Sequence, residues 1–206
     1  MVNSKYLQKL KQLAKEAFHA GLKPVVVELL SPYLTQQTED GYAWFIYGDS
    51  LRIIGRNSEA LVALKNALDL APADRLPDVH ILLGITCEDS GRQEEAEHWY
   101  AMAAECNVDP ERGWLWIFRG VNFARMEQFE EAAQCYLHAI ELDYNKDEAY
   151  LNLGYVLRAQ GKYSEAAEAL EKALSLTPDY PEAREVLDSL GGIQEAVAFT
   201  HQGRTE

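Results

Sequence analysis

Glu95 and His98 stand three residues apart, a spacing that offers a carboxylate and an imidazole from one face of a helix. In helical bundles, two such pairs together with further glutamates bind two iron ions. This chain has one Glu-x-x-His, and no second copy accompanies it. Cys135 and His138 form another three-residue pair, again without a matching motif elsewhere. Cys87 and Cys106 complete the set of thiols, and no two cysteines are arranged as Cys-x-x-Cys. An odd number of thiols without that spacing argues against a disulfide framework and a structural zinc site. A nucleophilic thiol needs a depressed pKa and a nearby base, which acidic surroundings oppose. Packing roles are expected for Cys87 and Cys106, where a free cysteine behaves as a small apolar residue. The chain has no Gly-rich phosphate loop, no Gly-x-Ser-x-Gly elbow and no His-Glu-x-x-His helix. The expectation is a protein that is not an enzyme and uses no metal or other cofactor.

Charge narrows the partners. The 206 residues carry a formal net charge of -14, with 25% charged and 48% hydrophobic residues. Residues 1–40 hold five Lys against four acids, so all of the net negative charge lies after them. No run of Lys or Arg forms a basic stripe, and an acidic surface repels a phosphate backbone, so nucleic acid is not an expected partner. No apolar run approaches the ~18 residues of a membrane span. Met1 to Leu13 alternates Lys with Leu and lacks the apolar block of a signal peptide. The expected location is cytoplasmic.

The elements that position these residues follow from self-comparison. Gly48, Ala60 and Ala67 recur as Gly84, Ala96 and Ala103, then Gly120, Ala132 and Ala139, then Gly154, Ala166 and Ala173. Glycine inside a helix costs about 1 kcal/mol relative to alanine, so its recurrence needs a packing reason. The glycine is expected to admit a close second helix, touching it through the first recurring alanine. The second alanine is expected to leave room for the next repeat. Gly55, Gly91 and Gly161 mark the turns, where a left-handed cap ends a helix at little cost. Glu59, Glu95, Glu131 and Glu165 follow at helix starts, where carboxylates complement the dipole.

These residues resemble the tetratricopeptide repeat, a 34-residue helix–turn–helix unit. The unit from Asp147 carries the family pattern most fully, with Tyr150, Leu153, Gly154, Leu157, Ala166, Leu170, Ala173 and Pro178. The unit from Gly113 departs from it with Arg119 and Tyr144, and the unit from Pro77 with His80. The resemblance covers 41–180 as repeats 41–76, 77–112, 113–146 and 147–180. Residues 7–40 fit a degenerate first repeat with Leu10, Leu13, Ala14, Gly21 and Leu30 at family positions. Pro32 is expected to kink or end its helix near Ser31. Residues 181–190 are expected to cap the array, with Gly191-Gly192 breaking the helix before a 191–206 tail. That tail carries Ile193, Ala196, Val197 and Phe199, which could dock on the surface. The connections Leu70 to Asp78 and Cys106 to Gly113 are two residues longer than the family norm.

The implied fold is an all-α solenoid over 1–190, with antiparallel helix pairs in a right-handed superhelix and a C-terminal capping helix. The first helices of the repeats would line its concave side. Inward positions there would be Tyr42, Phe45, Asp49, Arg52 and Ile53, then Asp78, Ile81, Ile85, Glu88 and Asp89. The third repeat would supply Trp114, Ile117, Val121, Ala124 and Arg125, and the fourth Glu148, Leu151, Tyr155, Arg158 and Ala159. Grouped aromatics on such a face mark a binding surface. Tyr42, Trp114 and Tyr155 are expected to touch the partner, beside a sparse basic set of Arg52, Arg125 and Arg158. Phe45, Ile81, Ile117 and Leu151 stand between two expectations, groove surface or seam between repeats. The carboxylate clamp of some family members is not expected, since Asn152 alone matches it. The expected function is an interaction module or scaffold holding a protein or peptide with apolar anchors. A chaperone-like role guarding apolar client segments is the alternative, and self-association through the end repeats a further possibility.

Overall fold

A computed structural model describes residues 4–106 and 113–202, with side chains to residue 192. Among the described residues there are eleven α-helices and no strand. They are α1 (Ser4–His19), α2 (Lys23–Leu34), α3 (Gly41–Ile53), α4 (Asn57–Leu70), α5 (Leu76–Glu88), α6 (Gln93–Glu105), α7 (Trp114–Arg125), α8 (Phe129–Glu141), α9 (Lys146–Ala159), α10 (Tyr163–Leu176) and α11 (Pro181–Gln202). Odd-numbered helices α1 to α9 are the first helices of five hairpins, and α11 follows as a cap. The chain divides into two compact units, Met1–Val108 and Asp109–Glu206, each described by itself.

Short turns close the hairpins. At the α9–α10 turn Gly161 takes φ 75°, and Lys162 N–H donates to the Leu157 carbonyl at 2.9 Å. That bond reaches back into the last helical turn and satisfies a carbonyl the helix leaves open. The α7–α8 turn has no glycine, and Glu127 adopts φ 59° in its place. Asp40 caps α3, its carboxylate accepting from Ala43 N–H at 3.1 Å.

In the first unit the core gathers Leu7, Leu10, Ala14, Val26, Leu30, Tyr33, Ala43 and Ile46. In the second it gathers Ile117, Tyr136, Leu153, Leu157, Leu170, Val186 and Leu190. The recurring alanines Ala60, Ala67, Ala96, Ala103, Ala132, Ala139, Ala166 and Ala173 are all buried. The recurring glycines do pack closely, yet mainly not against the first alanine. A β-carbon at Gly48 would come 2.7 Å from Leu64, at Gly120 2.5 Å from Tyr136 and at Gly154 2.8 Å from Leu170; Gly84 lies likewise against Tyr100. The large side chain four residues after the first alanine lies over the glycine and fills the space a methyl would need.

Three local expectations are corrected. α2 runs past Pro32 to Leu34 rather than stopping near Ser31. The proline sits in the last turn, where its missing N–H costs one hydrogen bond and little remains to be disrupted. Leu13 is 40% exposed, because Leu7, Leu10, Ala14 and Ala17 supply the buried stripe of α1. α11 continues through Gly191 and Gly192 to Gln202 instead of breaking there. Neither glycine has a positive φ, and a β-carbon at either would meet nothing within 4 Å, so both are ordinary helical residues. The side chains of Ile193, Ala196, Val197 and Phe199 lie outside the described set, as does the Asn107–Arg112 connection.

Candidate functional site

The first unit presents a cavity of about 260 Å³ where α3, the end of α4 and the start of α5 meet. Tyr42 and Phe45 line it from α3, Ala67 from α4, and Asp78 and Val79 from α5. Ala71, Pro72 and Arg75, on the connection between α4 and α5, supply the rest of the rim. Gly41 makes the floor possible: a β-carbon there would lie 2.9 Å from Leu70 Cβ, so only glycine brings α3 this near α4. Tyr42 is 44% exposed and Phe45 half-buried. Arg75 Nη1 pairs with Asp78 Oδ2 at 3.4 Å on the rim, and Lys15 of α1 stands 5.1 Å over the Tyr42 ring. Pockets that bury a drug-sized molecule run from about 300 to 1,000 Å³. This smaller, mostly apolar hollow matches one large side chain.

A ladder of charges links α2, α3 and the residue that ends α5. Lys23 Nζ lies 3.3 Å from Asp49 Oδ2, Arg52 Nη2 lies 3.0 Å from Asp49 Oδ1, and Arg52 Nη1 reaches Asp89 Oδ2 at 3.5 Å. Asp49 is buried and Arg52 half-buried. Both were expected to face a partner. Instead their charges hold three helices together, since a buried carboxylate requires paired donors.

A second corner joins α3 to α1 and α2. Asp40 accepts a hydrogen bond from the Tyr33 hydroxyl at 2.6 Å and pairs with Lys11 at 2.5 Å. Burial opposes its ionisation, but Lys11, Tyr33 and the Ala43 N–H together hold the carboxyl below its usual range. Burial and the adjoining Asp40 push the Tyr33 hydroxyl well above its usual value, so it remains a donor.

The second unit shows another aromatic set at inward positions. Trp114 is half-buried and meets Phe118 edge-on at 5.6 Å. Tyr155 is half-buried, with the Arg158 guanidinium 5.5 Å from its ring centre. Val121 is half-buried and Arg125 exposed. Burial raises the Tyr180 hydroxyl pKa first, and the charges of Glu148, Asp147 and Glu182 raise it further.

Ile81, Ile117 and Leu151 are 2%, 6% and 6% exposed, so they are core residues and not groove surface. On a two-helix brick this position turns toward the next helix pair, and aliphatic side chains there gain more from burial than from a partner. Ile85 is half-buried and Ile53 exposed. The sequence did not single out Lys15, Arg75 or Val79. The long Leu70 to Asp78 connection was the available signal, since Pro72 and Arg75 within it shape the cavity.

The pairs that opened the search for chemistry are otherwise engaged. Glu95 accepts two hydrogen bonds from Arg92, and His98 lies edge-on to Trp99 at 5.2 Å. His138 meets the Trp116 ring at 4.1 Å, and Cys135 is buried. Burial raises the Cys87 pKa, which disfavours its thiolate. Among the described residues no group of three or more potential ligands is placed to hold a metal. No helix among them is long and apolar enough to cross a membrane.

Residues 119–188 match the tetratricopeptide-repeat family model. The fold is shared with solved structures at low identity. Residues 41 to the end of MamA from Desulfovibrio magneticus RS-1 align at 16% identity with a TM-score of 0.74, covering 85% of this chain and 97% of that one. YrrB, a tetratricopeptide-repeat protein with an unusual peptide-binding site, aligns at 18% and 0.72, covering 84% and 88%. The Cut9–Hcn1 structure aligns at 17% and 0.64, covering 92% of this chain and 40% of that one. No curated protein matches the sequence. Residues 119–188 thus carry tetratricopeptide repeats, and the described helices share the fold of these solved structures.

Proposed function

We propose that this chain is a non-catalytic protein-interaction module that holds an extended peptide or a partner helix on the first-helix face of each unit, taken by itself. The observation that carries the reading is the apolar cavity lined by Tyr42, Phe45 and Val79, open beside exposed Tyr42. A tyrosine left 44% exposed above an apolar hollow gains little for the fold. It can bury its ring fully only against a second molecule, and such aromatic anchors dominate binding energies. The peptide-binding site of YrrB, a structural neighbour, is consistent with this use of the fold. Tyr42, Phe45, Trp114, Val121 and Tyr155 are the proposed contacts, with Arg125 and Arg158 beside the second set.

A random peptide library selected on the purified chain tests the reading. The expected peptides share a large apolar residue, and Tyr42→Ser weakens them about tenfold or more while circular dichroism and melting stay unchanged. Peptides that bind Tyr42→Ser and the Trp114→Ala, Tyr155→Ala double variant as well as the wild type would remove the first-helix face as the site.

A further inference from the structure

We infer that the α3–α5 cavity of the first unit selects an aromatic ring, carried by a partner peptide with an acidic residue beside it. This deepens the interaction reading above and rests on it. The second unit, by itself, holds the counterparts of the cavity wall. Counted along the repeat, Phe45, Ala67 and Val79 correspond to Ile117, Ala139 and Ala149, and again to Leu151, Ala173 and Ala183. Those six residues belong to one core. Two tyrosines from the connecting segments pack against that core, Tyr144 ahead of α9 and Tyr180 ahead of α11.

The first unit has no such ring of its own at its α4–α5 junction. Tyr144 stands at the register of Pro72, and Gly113, which it covers, at the register of Gly41. Where the second unit brings Tyr144, the first brings Leu70 Cβ against its glycine, and the segment after it reads Ala71-Pro72-Ala73 without an aromatic. About 260 Å³ stays open between Tyr42, Phe45, Ala67 and Val79. The repeat thus uses a tyrosine at two junctions and leaves the third to be filled from outside. An entering ring can meet Tyr42 and Phe45 edge-on or offset, contacts an aliphatic side chain does not make.

Charge at the mouth sets the neighbour of that ring. Asp78 on the rim is offset by Arg75 at 3.4 Å. Lys15 is half-buried, stands 5.1 Å over the neutral Tyr42 ring, and forms no ion pair among the described residues. Lys11, one turn earlier on α1, is already held by Asp40. A carboxylate carried next to the anchoring ring would give Lys15 the ionic partner it lacks, at a site where the field of the chain is otherwise balanced. The occupant that complements the cavity and its edge is therefore an aromatic side chain with Glu or Asp adjacent.

The test uses the full chain and capped, fluorescein-labelled synthetic peptides with one central residue in a Gly/Ser spacer. Three carry two Glu beside a central Tyr, Leu or Gly, and a fourth carries a central Tyr without Glu. Fluorescence anisotropy at low salt is expected to rank the Glu-flanked Tyr peptide tightest, with Leu about three- to tenfold weaker. Ala71→Phe supplies a ring to the cavity from the chain itself, and should weaken the Tyr peptide about tenfold or more while circular dichroism stays unchanged. Lys15→Glu should weaken the Glu-flanked Tyr peptide about two- to fivefold and leave the unflanked one as it was. Three results overturn the inference and leave the groove reading standing, provided Tyr42→Ser still abolishes binding: Leu as tight as Tyr, Ala71→Phe binding like the wild type, or flanked and unflanked peptides responding alike to Lys15→Glu. Binding of no peptide above the central-Gly control overturns both.

Discussion

A methyl group placed on Gly120 would lie 2.5 Å from Cε1 of the Tyr136 ring. Tyr136 is 2% exposed, so its ring has no open space into which to retreat. Gly120→Ala gains about 1 kcal/mol of helix propensity but forces an overpacked contact costing about 1–3 kcal/mol. The expected net loss is up to about 2 kcal/mol, read from urea unfolding. Gly192→Ala should instead gain up to about 1 kcal/mol, since a β-carbon there meets nothing within 4 Å. Equal effects from the two substitutions would contradict the packing role given to Gly120.

Asp40 joins Lys11, Tyr33 and the start of α3 in one corner. A carboxyl held low in the folded chain contributes stability that is complete above its unfolded pKa of about 4 and lost as pH falls through its folded value. Asp40→Ala also removes a helix cap, worth about 1 kcal/mol. The variant should melt earlier at pH 7, and its deficit should shrink below pH 4. A deficit independent of pH would show that the cap alone matters.

His80 is 5% exposed, stacked against Trp99, with its Nδ1 3.9 Å from Cys106 Sγ. Burial lowers its pKa, and the charge of His98 lowers it further. Folding therefore favours the neutral ring, and its contribution is complete above about pH 6.5. It declines as pH falls, because the unfolded chain takes up the proton first. His80→Phe should flatten the loss of stability between pH 7 and pH 5. Parallel curves for variant and wild type would contradict this.

Arg52 ties Asp49 to Asp89 inside the first unit. Arg52→Ala should cost about 1–2 kcal/mol, because Asp49 then keeps only Lys23 as an ionic partner in a buried setting. An unchanged melting temperature would return Arg52 to the role of a surface charge available to a partner.

The helix pairs were legible because Gly48, Gly84, Gly120 and Gly154 sit at fixed distances from two alanines each. Glycine weakens a helix, so its return at the same register in four helices points to close packing against a neighbour. The partner of each glycine was not legible. Leu64, Tyr100, Tyr136 and Leu170 read as ordinary core residues, and only side-chain direction reveals that they cover the glycine. Ile81, Ile117 and Leu151 were ambiguous because an aliphatic residue at that register fits a seam and a groove equally well. The ladder from Lys23 to Asp49 spans 26 residues and leaves no periodic trace. Pro32 and the Gly191-Gly192 pair misled for a shared reason: each weakens a helix locally, and near a helix end or on an open face the penalty is small enough to tolerate.

The central claim is that a partner's apolar side chain enters the cavity between α3 and α5. A selected peptide carrying a photoreactive phenylalanine analogue at its anchor, irradiated on the intact chain and mapped by mass spectrometry, tests this directly. Crosslinks are expected at Tyr42, Phe45, Ala71 or Val79, abolished by unlabelled competitor. Crosslinks confined to the opposite surface of the first unit, around Val62, would contradict it.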